Sequence, residues 1–187
     1  MAIETEIKLK VASHAAVRDQ LTALGAMRLG SAMELNVFFD TPDRALLAQD
    51  RGLRLRTTRD LKRSGTTHVV TYKGPRQAGP VKRREEIEFS VDGADAAAQV
   101  FAALGYQKVL AFEKRRESWK FGDCKIELDE VPHLGTFVEI EGDDERTVMS
   151  VRGKLDLDDS ESVADSYIAL LMKWREQNKV ADPEIRF

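Results

Sequence analysis

Charged side chains recur at every second position through the apolar-rich segments of this sequence. Glu4, Glu6 and Lys8 alternate with Ile3, Ile7 and Leu9, and Arg54 and Arg56 alternate with Leu53 and Leu55. Arg84, Glu86 and Glu88 share a face, Lys114 and Arg116 repeat the spacing, and Lys73 shares the face of Thr71. Glu127 and Asp129 stand against Ile126 and Leu128, and Glu139 and Glu141 against Val138 and Ile140. A period of two marks strands with two unlike faces. On one isolated half-buried strand the polar face is solvated, but here every apolar face needs a cover. Amphipathic helices supply it. If they lie outside a closed sheet, the charged faces turn inward, and an eight-stranded barrel has room for side chains or one small ligand. That interior collects Lys8, Arg54, Arg56, Lys73, Arg84, Lys114 and Arg116 with Glu4, Glu6, Glu86, Glu88, Glu127, Asp129, Glu139 and Glu141. Buried charge is costly unless paired or used. The cations match phosphate oxygens, Arg bidentately, and the carboxylates match a hard divalent cation such as Mg2+ or Mn2+. So many carboxylates cannot all stay ionised together without a metal. A metal–polyphosphate complex satisfies both sets.

The elements that would position these residues follow from the same pattern. A strand over 3–11 leads to an N-cap at Ser13, a helix carrying Val17, Leu21 and Leu24, and a stop at Gly25. The same order returns with a strand through 84–91, a helix over 96–104 and Gly105, an internal duplication with an offset of 80. Further strands are predicted at 36–40, 52–58, 68–73, 112–121, 124–129 and 136–141, with a polar hairpin tip at 59–66 and a loop at 77–81. Helical spacing covers 145–155 and 162–178, where Val163, Tyr167, Leu170, Leu171 and Trp174 form a stripe read as core packing. The expected fold is α+β: one domain, a closed eight-stranded antiparallel β-barrel with helices packed outside.

The 187 residues are 42% hydrophobic and 33% charged, with a net charge of −3. No run of 18 apolar residues predicts a membrane span. No basic segment followed by an apolar one opens the chain, which predicts no secretory leader and, by default, a cytoplasmic protein. The single cysteine, Cys124, excludes an internal disulfide and a thiolate zinc site. The charge balance and the missing interleaved aromatic surface argue against nucleic acid as a partner. His14 and His68 read as surface residues, His133 as a loop residue between acidic strands, Lys62 and Arg63 as solvated charges, and Lys82 as a guard at an entrance.

The residues also resemble a known family. Glu4-Thr5-Glu6-Ile7-Lys8 is similar to the ExExK signature of the CYTH superfamily, the triphosphate tunnel metalloenzymes. In order follow Phe39-Asp40-Thr41-Pro42, Gly52-Leu53-Arg54-Leu55-Arg56, Thr71-Tyr72-Lys73-Gly74-Pro75, Arg84-Glu85-Glu86-Ile87-Glu88, Glu113-Lys114-Arg115-Arg116, Glu127-Leu128-Asp129 and 134–141, with Ser166-Tyr167 in a late helix. The likeness spans about residues 2–172 and looks most like the class IV adenylyl cyclase subgroup. It implies a single CYTH domain over 1–187 and an enzyme using Mg2+ or Mn2+ on a small-molecule triphosphate such as tripolyphosphate or ATP. Lys8, Arg54, Arg56, Lys73, Lys114 and Arg116 would hold the triphosphate with help from Arg84. Glu4, Glu6, Asp129, Glu139 and Glu141 would hold metal, and Glu86, Glu88 and Glu127 are second candidates. Lys73, Glu4 and Glu6 are the expected catalytic residues. Hydrolysis of a phosphoanhydride is the first reading. Conversion of ATP to cyclic AMP and pyrophosphate is the alternative, and a polyphosphate- or nucleotide-binding module without turnover is the second. One departure bears on substrate: where some members carry a tyrosine paired with the lysine corresponding to Lys73, this sequence has Phe38, which argues against a thiamine triphosphatase. A homodimer would have to use helices or outer faces, because a tunnel barrel leaves little free strand edge.

Overall fold

The computed structural model describes residues 2–61, 65–77 and 82–187, with side chains at 5–61, 65–77 and 83–187. In chain order the elements are β1 (Ala2–Val11), α1 (Ala15–Ala23), β2 (Met27–Asp40), α2 (Ala45–Ala48), β3 (Gly52–Asp60), β4 (Thr66–Lys73) and β5 (Lys82–Val91). There follow α3 (Ala94–Ala103), β6 (Gln107–Phe121), β7 (Cys124–Val131), β8 (Gly135–Gly142), α4 (Glu145–Lys154), α5 (Tyr167–Asn178) and β9 (Glu184–Ile185). The strands lie in the order β2-β3-β4-β5-β1-β8-β7-β6, and β6 pairs back onto β2, so eight antiparallel strands close into a barrel. Closure removes the free edges. β9 joins β6 in parallel over Ala111 and Phe112.

The apolar faces point outward under helices, as the alternation requires. Ile7, Leu9, Ile126, Leu128, Val138 and Ile140 form one core with Val17 and Leu21 of α1 and Val148 and Val151 of α4. Phe39, Leu55 and Val70 form another, against which Ala94, Ala97, Ala98 and Phe101 of α3 pack. The duplication is visible in space. β1 and β5 end at Val11 and Val91, α1 and α3 end at Ala23 and Ala103, and β2 and β6 begin at Met27 and Gln107, so the interval of 80 holds through three elements. Both intervening helices end on a left-handed glycine, Gly25 at φ 71° and Gly105 at φ 89°, where a Cβ would strain the backbone.

Several segments differ from expectation, among them α2 and β9, which no pattern predicted. β2 starts at Met27 rather than 36, and β6 at Gln107 rather than 112. In β6 the run Val109, Leu110, Ala111 and Phe112 is buried on both faces, so no contrast of period two exists to be read. In β2 the early apolar residues Met27 and Leu29 are exposed. α5 begins at Tyr167, not 162, because the residues before it pair with β1: Lys10 N–H donates to Glu161 O, and Val163 N–H to Lys8 O. His14 is buried rather than on the surface; it occupies the N-cap of α1, where β8 lies close enough for its Nε2 to donate to Phe137 O at 3.0 Å. Ser13 Oγ, the expected cap, accepts from Ala15 N–H at 3.3 Å.

Candidate active site

Inside the barrel is a cavity of about 280 Å³. Of the residues expected to form a site, Glu6, Lys8, Arg54, Arg56, Lys73, Arg84, Glu86, Glu88, Lys114, Arg116, Glu127, Glu139 and Glu141 line it. The side chain of Glu4 lies outside the described residues; its backbone pairs with Arg84. Strand register brings opposite charges face to face. Lys8 stands opposite Glu139, Lys114 opposite Glu34, Arg116 opposite Asp129, and Lys73 opposite Glu86.

The resulting network is dense. Arg116 reaches Asp129 through Nε at 2.7 Å and Nη2 at 2.6 Å, Glu139 at 2.6 Å and Glu127 at 2.8 Å. Burial opposes charge on Arg116, but Asp129, Glu34 and Glu127 raise its pKa well above the ordinary value. Lys114 lies 3.1 Å from Asp129 and 3.3 Å from Glu34. Burial works against ionisation of Glu34, yet Lys114, Arg116, Arg56 and Arg54 hold its carboxyl well below the usual carboxylate range. Arg56 approaches Glu34 and Glu88, Arg54 donates to Thr71 Oγ1 at 3.0 Å and pairs with Glu88 at 3.3 Å, and Lys73 pairs with Glu86. Lys8 is 3.7 Å from Glu139 and donates to Asp165 O at 2.9 Å. Three buried donors among the cavity-lining residues nevertheless have no hydrogen-bond partner: Arg54 Nε, Arg56 Nε and Asn36 Nδ2. A buried donor without an acceptor costs about 1–3 kcal/mol, so three on one wall suit a ligand rich in acceptor oxygens.

Two expected site residues are placed differently from the others. Asp129 has no exposed surface and is not a lining residue; it sits behind the wall under Arg116 and Lys114 and accepts from the Tyr167 hydroxyl at 3.0 Å. Arg84 gives Nε and Nη2 to Gly74 O at 2.9 and 2.6 Å, and Nη2 also to Asp50 O at 2.9 Å. It therefore ties the α2–β3 connection to the end of β4. Arg76 adds an ion pair to Asp50 at 2.9 Å. The Asp40-Thr41-Pro42 turn anchors the same strap, since Asp40 accepts from the N–H groups of Leu46 and Leu47.

Sequence reasoning missed Glu34, Asn36 and the polar use of Tyr167. The first two share a face with Phe38, a signal readable only once β2 is extended back toward Met27. Phe38 lies 6.0 Å from Phe112 in a near-parallel stack, at an apolar side of the cavity that Leu47, Leu53, Ile168 and Met172 complete. His133 stacks on Trp174 at 3.9 Å and does not line the cavity. His68 meets Thr57 Oγ1 through Nδ1 at 2.9 Å. Cys124 is buried, which pushes its thiol pKa up. Lys62, Arg63 and most of the 77–81 loop lie outside the described residues, as does the side chain of Lys82.

Among the described residues no three acidic, His or Cys side chains stand together as a ready metal cage. The donor chemistry still fits a hard divalent ion. Glu6 and Glu141 are cross-strand neighbours on the cavity wall, and Glu139 follows on the same face. Among the described residues no helix is long and apolar enough to cross a membrane.

A closed antiparallel barrel whose lumen interleaves arginine, lysine and carboxylates defines a triphosphate tunnel. The chain belongs to the CYTH domain family, whose model matches residues 2–167. Members of that family act as triphosphatases or class IV adenylyl cyclases and depend on a divalent metal. The chain is 34% identical over 139 residues to a Methanocaldococcus jannaschii protein named "Putative adenylate cyclase MJ0240", covering 74% of this chain and 76% of that one. It is 32% identical over 155 residues to the adenylate cyclase CyaB of Aeromonas hydrophila, covering 81% and 76%. The solved structure of the PH1819 protein from Pyrococcus horikoshii superposes with a TM-score of 0.77 at 27% identity, over 92% of this chain and 99% of that one.

Proposed function

We propose that this protein binds the triphosphate group of a small cytoplasmic substrate in the barrel, with Mg2+ or Mn2+, and hydrolyses a phosphoanhydride bond. The observation that carries this reading is the convergence of Lys8, Arg54, Arg56, Lys73, Lys114 and Arg116 on one cavity whose wall also holds the unpartnered donors Arg54 Nε, Arg56 Nε and Asn36 Nδ2. Lys8, Arg54, Arg56, Lys73, Lys114 and Arg116 hold and orient the phosphates; positioning and charge neutralisation supply most of the catalysis in phosphoryl transfer. Arg84 acts at one remove, by fixing the strap. Glu4, Glu6, Glu139 and Glu141 would hold the metal, and Asp129 serves the phosphates by holding Arg116 and Lys114. A bound divalent cation would offset phosphate charge and lower the pKa of the attacking water. Lys73, a cavity-lining cation paired with Glu86, would supply a leaving phosphate with a proton or a counter-charge.

The alternative is attack by a ribose 3′-hydroxyl of ATP on the α-phosphorus, releasing pyrophosphate. The stacked Phe38 and Phe112 favour it, because they give the cavity a surface on which a base could lie. Incubating the protein with Mg2+ or Mn2+ and either tripolyphosphate or ATP, then separating products, decides between them. Orthophosphate is expected; cyclic AMP with pyrophosphate and no orthophosphate would overturn hydrolysis. Glu6→Gln is expected to abolish metal-dependent turnover, and full activity would refute its metal role.

A further inference from the structure

Tyr167 is the first residue of α5 and a lining residue of the cavity, yet neither reading of the chemistry uses it. Its position is fixed from several sides. Ser166 Oγ caps the helix by accepting from Ala169 N–H, and Lys8 Nζ holds the preceding turn through Asp165 O. The ring meets the edges or faces of Phe112 and Phe137 at centroid distances of 6.4 and 5.1 Å. Lys8 Nζ lies 4.1 Å and Lys114 Nζ 5.3 Å from the ring centroid, within range of a cation–π attraction. The hydroxyl donates to Asp129 Oδ2, the same oxygen that accepts from Arg116 Nη2 and Lys114 Nζ. One side chain of α5 thus touches Lys8, Lys114 and the carboxylate that holds both Arg116 and Lys114.

We infer that Tyr167 is a positioning residue for the triphosphate site: its hydroxyl fixes the Asp129 carboxylate that aims Arg116 and Lys114 into the cavity, and its ring seats Lys8 and Lys114. A fully buried carboxylate facing two cations has several ways to share its lone pairs. The phenol occupies one of them and leaves the cations in a single arrangement. Asp129 then behaves as a relay behind the wall, and the stripe on α5 joins helix docking to phosphate recognition. This rests on the triphosphate reading above.

The test is tripolyphosphate affinity measured by calorimetry in metal-free buffer, with thermal unfolding recorded alongside. Tyr167→Phe keeps the ring and removes only the hydroxyl. It is expected to weaken binding about tenfold, equivalent to about 1.4 kcal/mol, while the melting temperature stays close to that of the unaltered protein. Tyr167→Leu, which also removes the ring, is expected to weaken binding further. In an Asp129→Asn background, Tyr167→Phe is expected to add no further loss, because the two act as one unit. Unchanged affinity in Tyr167→Phe, or losses that simply add in the double variant, would overturn the inference and leave the triphosphate reading standing. Failure of the unaltered protein to bind tripolyphosphate would overturn both.

Discussion

Replacing Glu34 by glutamine separates what the internal charges do for folding from what they do for ligand binding. Glu34 is 3% exposed and faces Lys114 at 3.3 Å and Arg56 at 4.0 Å, with Arg54 and Arg116 also acting on it. Removing one partner of a buried ion network costs about 3–5 kcal/mol because it strands the opposite charges. Glutamine keeps the volume and one acceptor oxygen, which argues for the lower end, about 3 kcal/mol. For a chain of this size each kcal/mol moves the melting temperature by about 2–4 °C, so the free variant should melt about 6–12 °C below the unaltered protein. A polyanion supplies what Glu34 removed. Saturating tripolyphosphate should therefore raise the melting temperature of Glu34→Gln by more than it raises that of the unaltered protein, and the variant should bind it more tightly. Calorimetric scans with and without tripolyphosphate measure both. An unchanged melting temperature would refute a stabilising network, and a smaller ligand-induced rise would refute competition between Glu34 and the polyanion for the same cations. The sign with pH is also fixed. The folded pKa of Glu34 is depressed, so its contribution is fully present above the ordinary carboxylate range near about 4.3 and is lost only as pH falls through the lowered folded value. The gap between variant and unaltered protein should be flat from about pH 6 to 8 and close in acid.

Two further carboxylates, Glu88 and Asp50, point the same way. Burial opposes ionisation of Glu88 and Asp50, but Thr71 and the arginines around Glu88, and Arg76 beside Asp50, hold both below the usual carboxylate range. The melting temperature of the unaltered protein should therefore fall as pH drops from about 5 to 3, and a rise on acidification would contradict the assignment. In the outer core, a Cβ at Gly142 would lie 2.9 Å from Cys124 Sγ and 3.3 Å from Val148 Cγ2. Gly142→Ala should cost about 1–3 kcal/mol by overpacking, with part of the loss recovered in the Cys124→Ala double variant; no loss in the single variant, by thermal unfolding, would show that the sheet yields there.

The interior was legible where a strand has one helix-covered face and one cavity face. β1, β3, β7 and β8 meet that condition, and their alternation carried both the barrel and most of the site. β2 and β6 do not. The long pairing between them buries Val109 to Phe112 on both sides and leaves Met27 and Leu29 exposed, so their contrast fades, and Glu34 and Asn36 were lost with it. Tyr167 was visible as a member of an apolar stripe, but spacing reports only which face a side chain takes. Whether a phenol ends against a carboxylate depends on a residue 38 positions away in sequence, Asp129. Arg84 was assigned by charge alone, whereas the groups it binds are backbone carbonyls, which no pattern of residue types records.

A net charge of −3 hides the site because the site neutralises itself. Within the barrel the cations lean on carboxylates, most densely at Arg116, which is held by Asp129, Glu127 and Glu139. A polyanion that enters must draw those cations toward its own oxygens. The carboxylates it leaves behind then lose counter-charge in a low-dielectric lumen, which is expensive unless another cation arrives. A divalent ion near Glu6, Glu139 and Glu141 answers that need and is itself favoured by the incoming phosphates. Polyanion and metal should therefore each tighten the other's binding by the same factor, since coupling between two binding equilibria is reciprocal. Titrating tripolyphosphate against fixed Mg2+, and Mg2+ against fixed tripolyphosphate, measures the factor from both directions after correction for their complex in solution. Equal affinities with and without the second ligand would mean that the internal pairs survive binding, and that the phosphates are held by the unpartnered donors of Arg54, Arg56 and Asn36 alone.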